Sequence, residues 1–343
     1  METLGESSQE IIGKKSNNNV YSKDGTLLIK AFETITADHV KLLEKNHITI
    51  RRNDVKESES ELSPNKHAQI IDETVKEIRD IFQDIRENKK IPLVKIREQI
   101  VPILHDTNES YEVLQLFTAL QAKDDYTYRH NIAVGAISNL IGTWMKLPKQ
   151  EILQLTTAGL LHDVGKMLVP EEILNKPGRL NEEEFEEMKS HTVYGYEILK
   201  DTVGIGHRQA LVALQHHERM DGSGYPLQLK RGEIDLFSRI VAVADVFHAM
   251  SSNRVYQERS PLYEVLAEME REMFAKLDPE ITYLFIEQTM YSLIGSEVLL
   301  TDGRKGTIVL VPSNEPTKPL LHVENEFVNL RTKDNVKIDQ IIS

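Results

Sequence analysis

Apolar residues repeat at helical spacing through most of this chain and at strand spacing only towards its two ends. Near the N-terminus, "GTLLIKAFETITADHVKLLEKNHITIRR" passes from an apolar run after Gly25 to Thr36, Ala37 and Asp38, then to Val40, Leu42 and Leu43 at helical spacing. This pattern predicts a short strand, a capped helix and a second strand. Residues 57–67, "ESESELSPNKH", are polar with one proline and predict a linker. From about Ala68 to Thr107, Ile70, Ile71, Val75, Ile78, Ile81, Phe82 and Ile85 keep a helical period, which predicts a long connecting helix or a pair of helices.

Between Tyr111 and Tyr291 the helical pattern continues, broken at Leu147-Pro148, Lys176-Pro177-Gly178, Gly204 to Gly206, "HHERMDGSGYP" and Asp278-Pro279. No strand alternation occurs there, so the middle is expected to be all-helical. Asn181 is a candidate cap for the helix after Leu180, and Glu182 to Glu184 fall in its first turn, where negative charge suits the helix dipole. The tail differs: "SEVLLTDGRKGTIVLVP" has two β-rich runs around Asp302-Gly303, and "LLHVENEFVNL" alternates in part. The expected architecture is mainly α. It consists of a small N-terminal α/β segment over 1–55, a linker and connecting helices over 56–110, a helical domain over 111–291 and a small β module over 292–343.

The 343 residues carry 41 Lys plus Arg and 54 Asp plus Glu, a net charge of −13 that argues against bulk attraction to nucleic acid or anionic lipid. Any anionic ligand must be held locally. With no cysteine, thiolate ligation and disulfides are excluded, and metal chemistry would fall to His, Asp and Glu. No apolar run reaches the roughly 18 residues needed to span a bilayer, and the N-terminus lacks a signal-like pattern. These features read as a cytoplasmic protein with neither nucleic acid nor membrane as a partner.

The twelve histidines are unevenly placed. His39, His47, His67, His105, His207 and His322 have no acidic or histidine partner at ligand spacing and read as surface or cap residues. The others fall in the helical middle with carboxylates close by: His130, His162 beside Asp163, His191, His216 beside His217, and His248 one turn beyond Asp245. In "LLHDVGKMLVP" an apolar helix delivers a His-Asp pair from the core to its own end. Buried without partners, two such groups would be costly. A divalent cation satisfies both, because imidazole offers one nitrogen to one ion while a carboxylate can bridge two. Asp163 is the natural bridge, and Lys166 places a cation where it could meet a phosphate oxygen. Two ions with an open face favour hydrolysis of a phosphate ester. Donors of oxygen and nitrogen without sulfur suit iron or manganese at least as well as zinc.

Five ordered segments between Lys123 and Asp278 resemble the HD-GYP family, HD-domain metal phosphohydrolases that degrade cyclic di-GMP: "DDYTYRHN", "HDVGK", "NKPGRLNEEEFEEMKSHTVYGYEIL", "HHERMDGSGYP" and "RIVAVADVFHAMSSNR". The resemblance implies a helical fold. It also implies one metal held by His130, His162, Asp163 and Asp245, and a second held by His191, His216 and His217, sharing Asp163. Lys166 would contact the scissile phosphate, and Arg254 another phosphate of the ligand. A bridging hydroxide would attack phosphorus in line, giving linear pGpG and, after a second cut, GMP. The same centre could serve another nucleotide, or the chain could bind the messenger with little turnover.

Three positions depart from the family pattern. Members with a third metal carry glutamate where this chain has Tyr126, so two ions are expected. Gln257 replaces a basic residue common after Arg254, which would remove one phosphate contact. His248 stands where the family usually has aspartate. It reads as an added ligand, a partner of a ligand or a tolerated change, the partner reading being preferred. In "HHERMDGSGYP", adjacent helical residues point about 100° apart, so His216 and His217 are expected to end a helix, with the glycines stopping it. Asp221 to Pro226 then form the rim of a phosphodiester pocket, with Gly222, Gly224 and Tyr225 as candidate substrate contacts and Glu218–Arg219 as a local ion pair of little weight. By resemblance the Gly-Tyr-Pro loop would also meet diguanylate cyclase (GGDEF) proteins; a homodimer is a further option.

Overall fold

The computed structural model describes residues 11–16, 20–22, 27–29, 34–50, 55–56, 64–110, 113–120, 126–252, 261–272, 276–333 and 335–342. Packing divides the chain into two compact units, Met1–Lys66 and His67–Ser343.

In the first unit, β1 (Lys15–Ser16), β2 (Val20–Tyr21) and β3 (Leu27–Ile29) precede helix α1 (Ala37–Lys45), and β4 (Val55–Lys56) pairs antiparallel with β1 while β2 pairs with β3. Thr36 starts α1 as foreseen: its hydroxyl accepts from His39 N, and His39 Nδ1 accepts in return from Thr36 N. His39 is therefore a cap. Residues 48–50, expected within the second strand, are irregular; Ile48 and Ile50 pack instead against the small core of Ile29, Ile35, Val40 and Leu43. Burial of the two isoleucines outweighs their strand propensity here.

The second unit is helical. Its elements are α2 (Pro64–Asn88), α3 (Leu93–Lys95) running through a π-helical turn into α4 (Val101–Ser110), α5 (Val113–Leu120), α6 (Tyr126–Trp144), α7 (Lys149–Leu161), α8 (Glu171–Leu174), α9 (Glu182–Lys189), α10 (His191–Lys200), α11 (His207–Gln215), α12 (Leu236–Ser251), α13 (Leu262–Glu272) and α14 (Pro279–Ser292). The period read across Ile71, Val75, Ile78, Phe82 and Ile85 marks the buried face of α2. Helix α6 is apolar almost all round, with Ile132, Ala133, Val134, Ile137 and Ile141 buried, because α7 and α12 both pack on it. Arg129, also buried, reaches Asp72 on α2 at 2.6 Å. Asn181 caps α9, its side chain accepting from Glu184 N while the Glu184 carboxylate accepts from Asn181 N.

The tail folds as a five-stranded antiparallel sheet in the order β8-β7-β6-β5-β9: β5 (Glu297–Leu300), β6 (Lys305–Leu310), β7 (Leu320–Val323), β8 (Glu326–Asn329) and β9 (Ile338–Ile341). Asp302-Gly303 turns β5 into β6, with Gly303 at φ 86°. Tyr263 on α13 ties this sheet to the helices by donating its hydroxyl to the Thr317 carbonyl ahead of β7. The mainly helical class, with a small α/β segment before it and a β module after it, is what the sequence predicts. Among the described residues no helix is long and apolar enough to cross a membrane.

Candidate metal centre

Five helices deliver the histidine and aspartate side chains to one place. His130 comes from the first turns of α6, His162 and Asp163 follow the end of α7, His191 opens α10, His216 and His217 follow α11, and Asp245 lies within α12. All but half-buried His217 are buried.

A 3-10 turn, Val164–Leu168, carries the chain away from Asp163. Gly165 in that turn lies directly under α10, where an added Cβ would collide with the His191 carbonyl and Gly195 N. This contact is what sets His191 opposite Asp163.

The carboxylate of Asp163 divides its two oxygens between two sets of histidines. Oδ2 lies 3.4 Å from His162 Nε2 and 3.9 Å from His130 Nε2; Oδ1 lies 3.3 Å from His191 Nε2 and 3.7 Å from His216 Nε2. Asp245 sits on the His130 side, with Oδ1 3.1 Å from His130 Nε2, and its Oδ2 is 3.9 Å from His217 Nδ1. Ligand-type atoms thus gather in two groups, Asp163 with His191, His216 and His217, and His130 with His162 and Asp245.

The outward nitrogens explain how the rings are aimed. His162 Nδ1 lies 2.7 Å from the Gly159 carbonyl, His191 Nδ1 2.6 Å from that of Met188, and His216 Nδ1 3.0 Å from those of Val212 and Ala213. Only a protonated Nδ1 can use these acceptors, which leaves an Nε2 lone pair on each ring directed inward. His162 Nε2 and Asp163 Oδ1 are buried without a hydrogen-bond partner, and His191 Nε2 faces His216 Nε2 at 3.4 Å. Lone pairs and carboxylate oxygens converging without protons between them fit divalent cations.

Protonation agrees with this arrangement. Burial drives His162 down to about 3, lowers His191, and together with neighbouring His216 holds His217 well below the usual imidazole range. Burial works to raise Asp163, yet the Lys166 ammonium and then the surrounding imidazoles outweigh it and hold the carboxyl well below its usual range. Asp245 is held down against burial by His130 first and then by its neighbours His217 and His162. Neutral His162, His191 and His217 beside ionised Asp163 and Asp245 are the ligand state a cation requires.

Lys166 Nζ contacts Asp163 Oδ2 at 2.5 Å, with a quarter of its side chain exposed. Tyr225 lays its ring along that of His217, centroids 4.6 Å apart and planes 32° apart, with Lys189 Nζ 5.6 Å from the tyrosine ring. Burial, followed by the charges of Asp163 and Asp245, raises the Tyr225 phenol above its ordinary range. Gly222 adopts φ 83°, and Gly224 is pressed against the backbone of His217 to Arg219, leaving no room for a Cβ. Arg254 and Gln257 lie outside the described residues. Tyr126 begins α6, one turn ahead of His130.

Two expectations for "HHERMDGSGYP" need correction. The glycines do not stop α11, which ends at Gln215, well ahead of Gly222. A tight turn, Glu218 N to the Gln215 carbonyl at 2.9 Å, ends it, and Arg219 Nη1 donates to the carbonyls of His216 and Glu218. Nor do Glu218 and Arg219 form the expected local ion pair of little weight. Glu218 is 2% exposed, and its two carboxylate oxygens accept from Leu227 N at 2.7 Å and Leu229 N at 2.9 Å. Charge-assisted bonds to backbone amides make Glu218 the clamp that seats the rim loop. Only the flanking backbone, remote along the chain, reveals that role.

A helical unit with such a centre belongs to a recognisable class, and comparison with known proteins identifies it. Residues 113–281 match the family described as HD domain. Among characterised relatives, the cyclic di-GMP phosphodiesterase PA4108 of Pseudomonas aeruginosa is 33% identical over 229 residues, 67% of this chain and 55% of its own. The cyclic di-GMP phosphodiesterase of Thermotoga maritima is 42% identical over 188 residues, 51% of each chain. The 3'3'-cGAMP-specific phosphodiesterase 3 of Vibrio cholerae is 37% identical over 161 residues, 47% of this chain and 35% of its own. Residues 113–281 thus form a domain of the HD-domain family. The chain spans about half the length of the first two relatives and about a third of the other.

Proposed function

We propose that this chain hydrolyses the phosphodiester bonds of cyclic di-GMP, giving linear pGpG and, after a second cut, GMP. The observation that carries this reading is the division of Asp163, one oxygen towards His162 and His130, the other towards His191 and His216. A shared carboxylate between two imidazole sets is the donor arrangement of a two-cation phosphoesterase site. His130, His162 and Asp245 would hold one cation and His191, His216 and His217 the other, with Asp163 common to both; all donors are N or O, which suits iron or manganese. Such cations supply Lewis-acid polarisation of a phosphoryl oxygen and a more acidic attacking water.

The chain's own residues do the rest. Lys166, on Asp163 and partly exposed, is within side-chain reach of a phosphate oxygen at the edge of the centre, where its charge offsets the negative charge that builds up in phosphoryl transfer. Tyr225, seated on His217, forms one wall of the approach to the centre, and Glu218 holds that wall in place through Leu227 and Leu229. Arg254 is the proposed second phosphate contact. The names of the Pseudomonas and Thermotoga relatives support the substrate.

Incubating protein purified without oxygen and loaded with Mn2+ or Fe2+ with cyclic di-GMP tests the reading. Release of pGpG or GMP is expected, and no turnover with any divalent cation would sink it. A second reading, 3'3'-cGAMP as substrate, is favoured by three relatives from Vibrio cholerae named for that specificity. Competition between the two cyclic dinucleotides in one assay separates them.

A further inference from the structure

His162, His191 and His216 are oriented by backbone carbonyls, but His130 meets another imidazole. Its Nδ1 lies 2.9 Å from Nδ1 of His248, one turn beyond Asp245 on α12, and both rings are buried, at 5% and 3% exposure. Two ring nitrogens at this separation share one proton, so one ring donates and the other accepts. The inward nitrogen of His130 decides which. Its Nε2 faces Asp245 Oδ1 at 3.1 Å and Asp163 Oδ2 at 3.9 Å, and a cation held there needs the Nε2 lone pair. The ring proton then sits on Nδ1 and points at His248. An accepting Nδ1 on neutral His248 leaves its own proton on Nε2, 3.0 Å from Ser252 Oγ, and Ser252 is also buried, just past the end of α12. The three groups thereby form a one-way relay, His130 to His248 to Ser252.

We propose that His248, anchored by Ser252, is the positioning residue that turns the Nε2 lone pair of His130 onto a divalent cation, and so governs cation affinity on the His130–His162–Asp245 side of the centre. This rests on the two-cation reading above, but not on any substrate.

Substitution separates this role from packing. His248→Asn places an amide oxygen where the accepting Nδ1 stands; His248→Leu fills the buried space with an apolar side chain and accepts nothing. If His248 served packing alone, leucine would be the milder change. Mn2+ titration of the full chain, followed by the loss of the free-ion electron paramagnetic resonance signal, is expected to show one class of sites weakened about 10- to 100-fold in His248→Leu. In His248→Asn the affinity should stay near wild type, and Ser252→Ala should fall between. Nitrogen-15 spectra of histidine-labelled protein loaded with diamagnetic Zn2+ should place the His130 proton on Nδ1. Circular dichroism and melting confirm that each variant folds. Equal Mn2+ affinity in wild type and His248→Leu, or a His130 proton on Nε2 in the Zn2+ form, overturns the proposal. Normal Mn2+ binding in the wild type without hydrolysis of cyclic dinucleotides would overturn only the assigned activity. Failure of the wild type to bind Mn2+ would overturn both.

Discussion

Gly165 lies against the carbonyl of His191 so closely that no side chain fits between them. The contact joins the turn after Asp163 to the first residue of α10, and so it sets the distance between a carboxylate and the imidazole opposite. Gly165→Ala must push α10 away, because the obstacle is backbone and cannot rotate aside. Overpacking of this kind costs about 1–3 kcal/mol. Chemical denaturation should show that loss, and metal analysis should show weaker cation retention than in wild type. A variant with unchanged midpoint and metal content would remove this contact from the account of the site.

Asp163 offers an oxygen to each histidine set. Asp163→Ala is expected to abolish retention of both cations and all hydrolysis. The check is metal analysis by mass spectrometry on protein with a wild-type circular dichroism spectrum. One full equivalent retained would mean that the carboxylate is not shared.

Glu218 accepts from Leu227 N and Leu229 N within a buried setting. Glu218→Ala leaves both amides without their acceptor, at a cost on the order of 2 kcal/mol. Amide hydrogen exchange should speed up at Leu227 and Leu229 while the helices keep their protection. Since the rim borders the approach to the centre, KM is expected to rise more than kcat falls. Unaltered exchange at the two amides would rule out the clamp.

Tyr263 links α13 to the β module, and burial, with Glu270 nearby, pushes its phenol up to about 12 from an ordinary value of 10.0. A raised folded-state value means the unfolded chain loses this proton first. The stabilisation is therefore fully present below pH 10 and is lost as pH rises from 10 towards 12. Two units correspond to roughly 2–3 kcal/mol. Melting curves between pH 9 and 12 should fall more steeply for wild type than for Tyr263→Phe, and parallel curves would exclude the effect.

Much of this molecule can be read from local pattern. The α2 period, the Thr36 and Asn181 caps and the Asp302-Gly303 hairpin follow from spacing and turn chemistry, which act within a few residues. The His-Asp pair after α7 stands out because an apolar helix ending in two polar groups needs a partner for them. What stayed hidden depends on contacts distant in sequence. Ile48 and Ile50 look like a strand until a core claims them. Glu218 looks like half of a local ion pair until the amides of Leu227 and Leu229 fold back onto it. The same holds for His248, whose meaning comes from His130 on another helix.

In the run His216-His217-Glu218, two rings face the centre while the next side chain grips the rim. Nothing but covalent backbone separates these tasks. The loop beyond folds back onto this same run, Tyr225 N donating to the His217 carbonyl at 3.3 Å and Gly224 lying against the backbone of His217 to Arg219. The rim and the imidazole beneath it are thus one packed unit, tied by a hydrogen bond, a ring contact and a glycine with no room for a side chain.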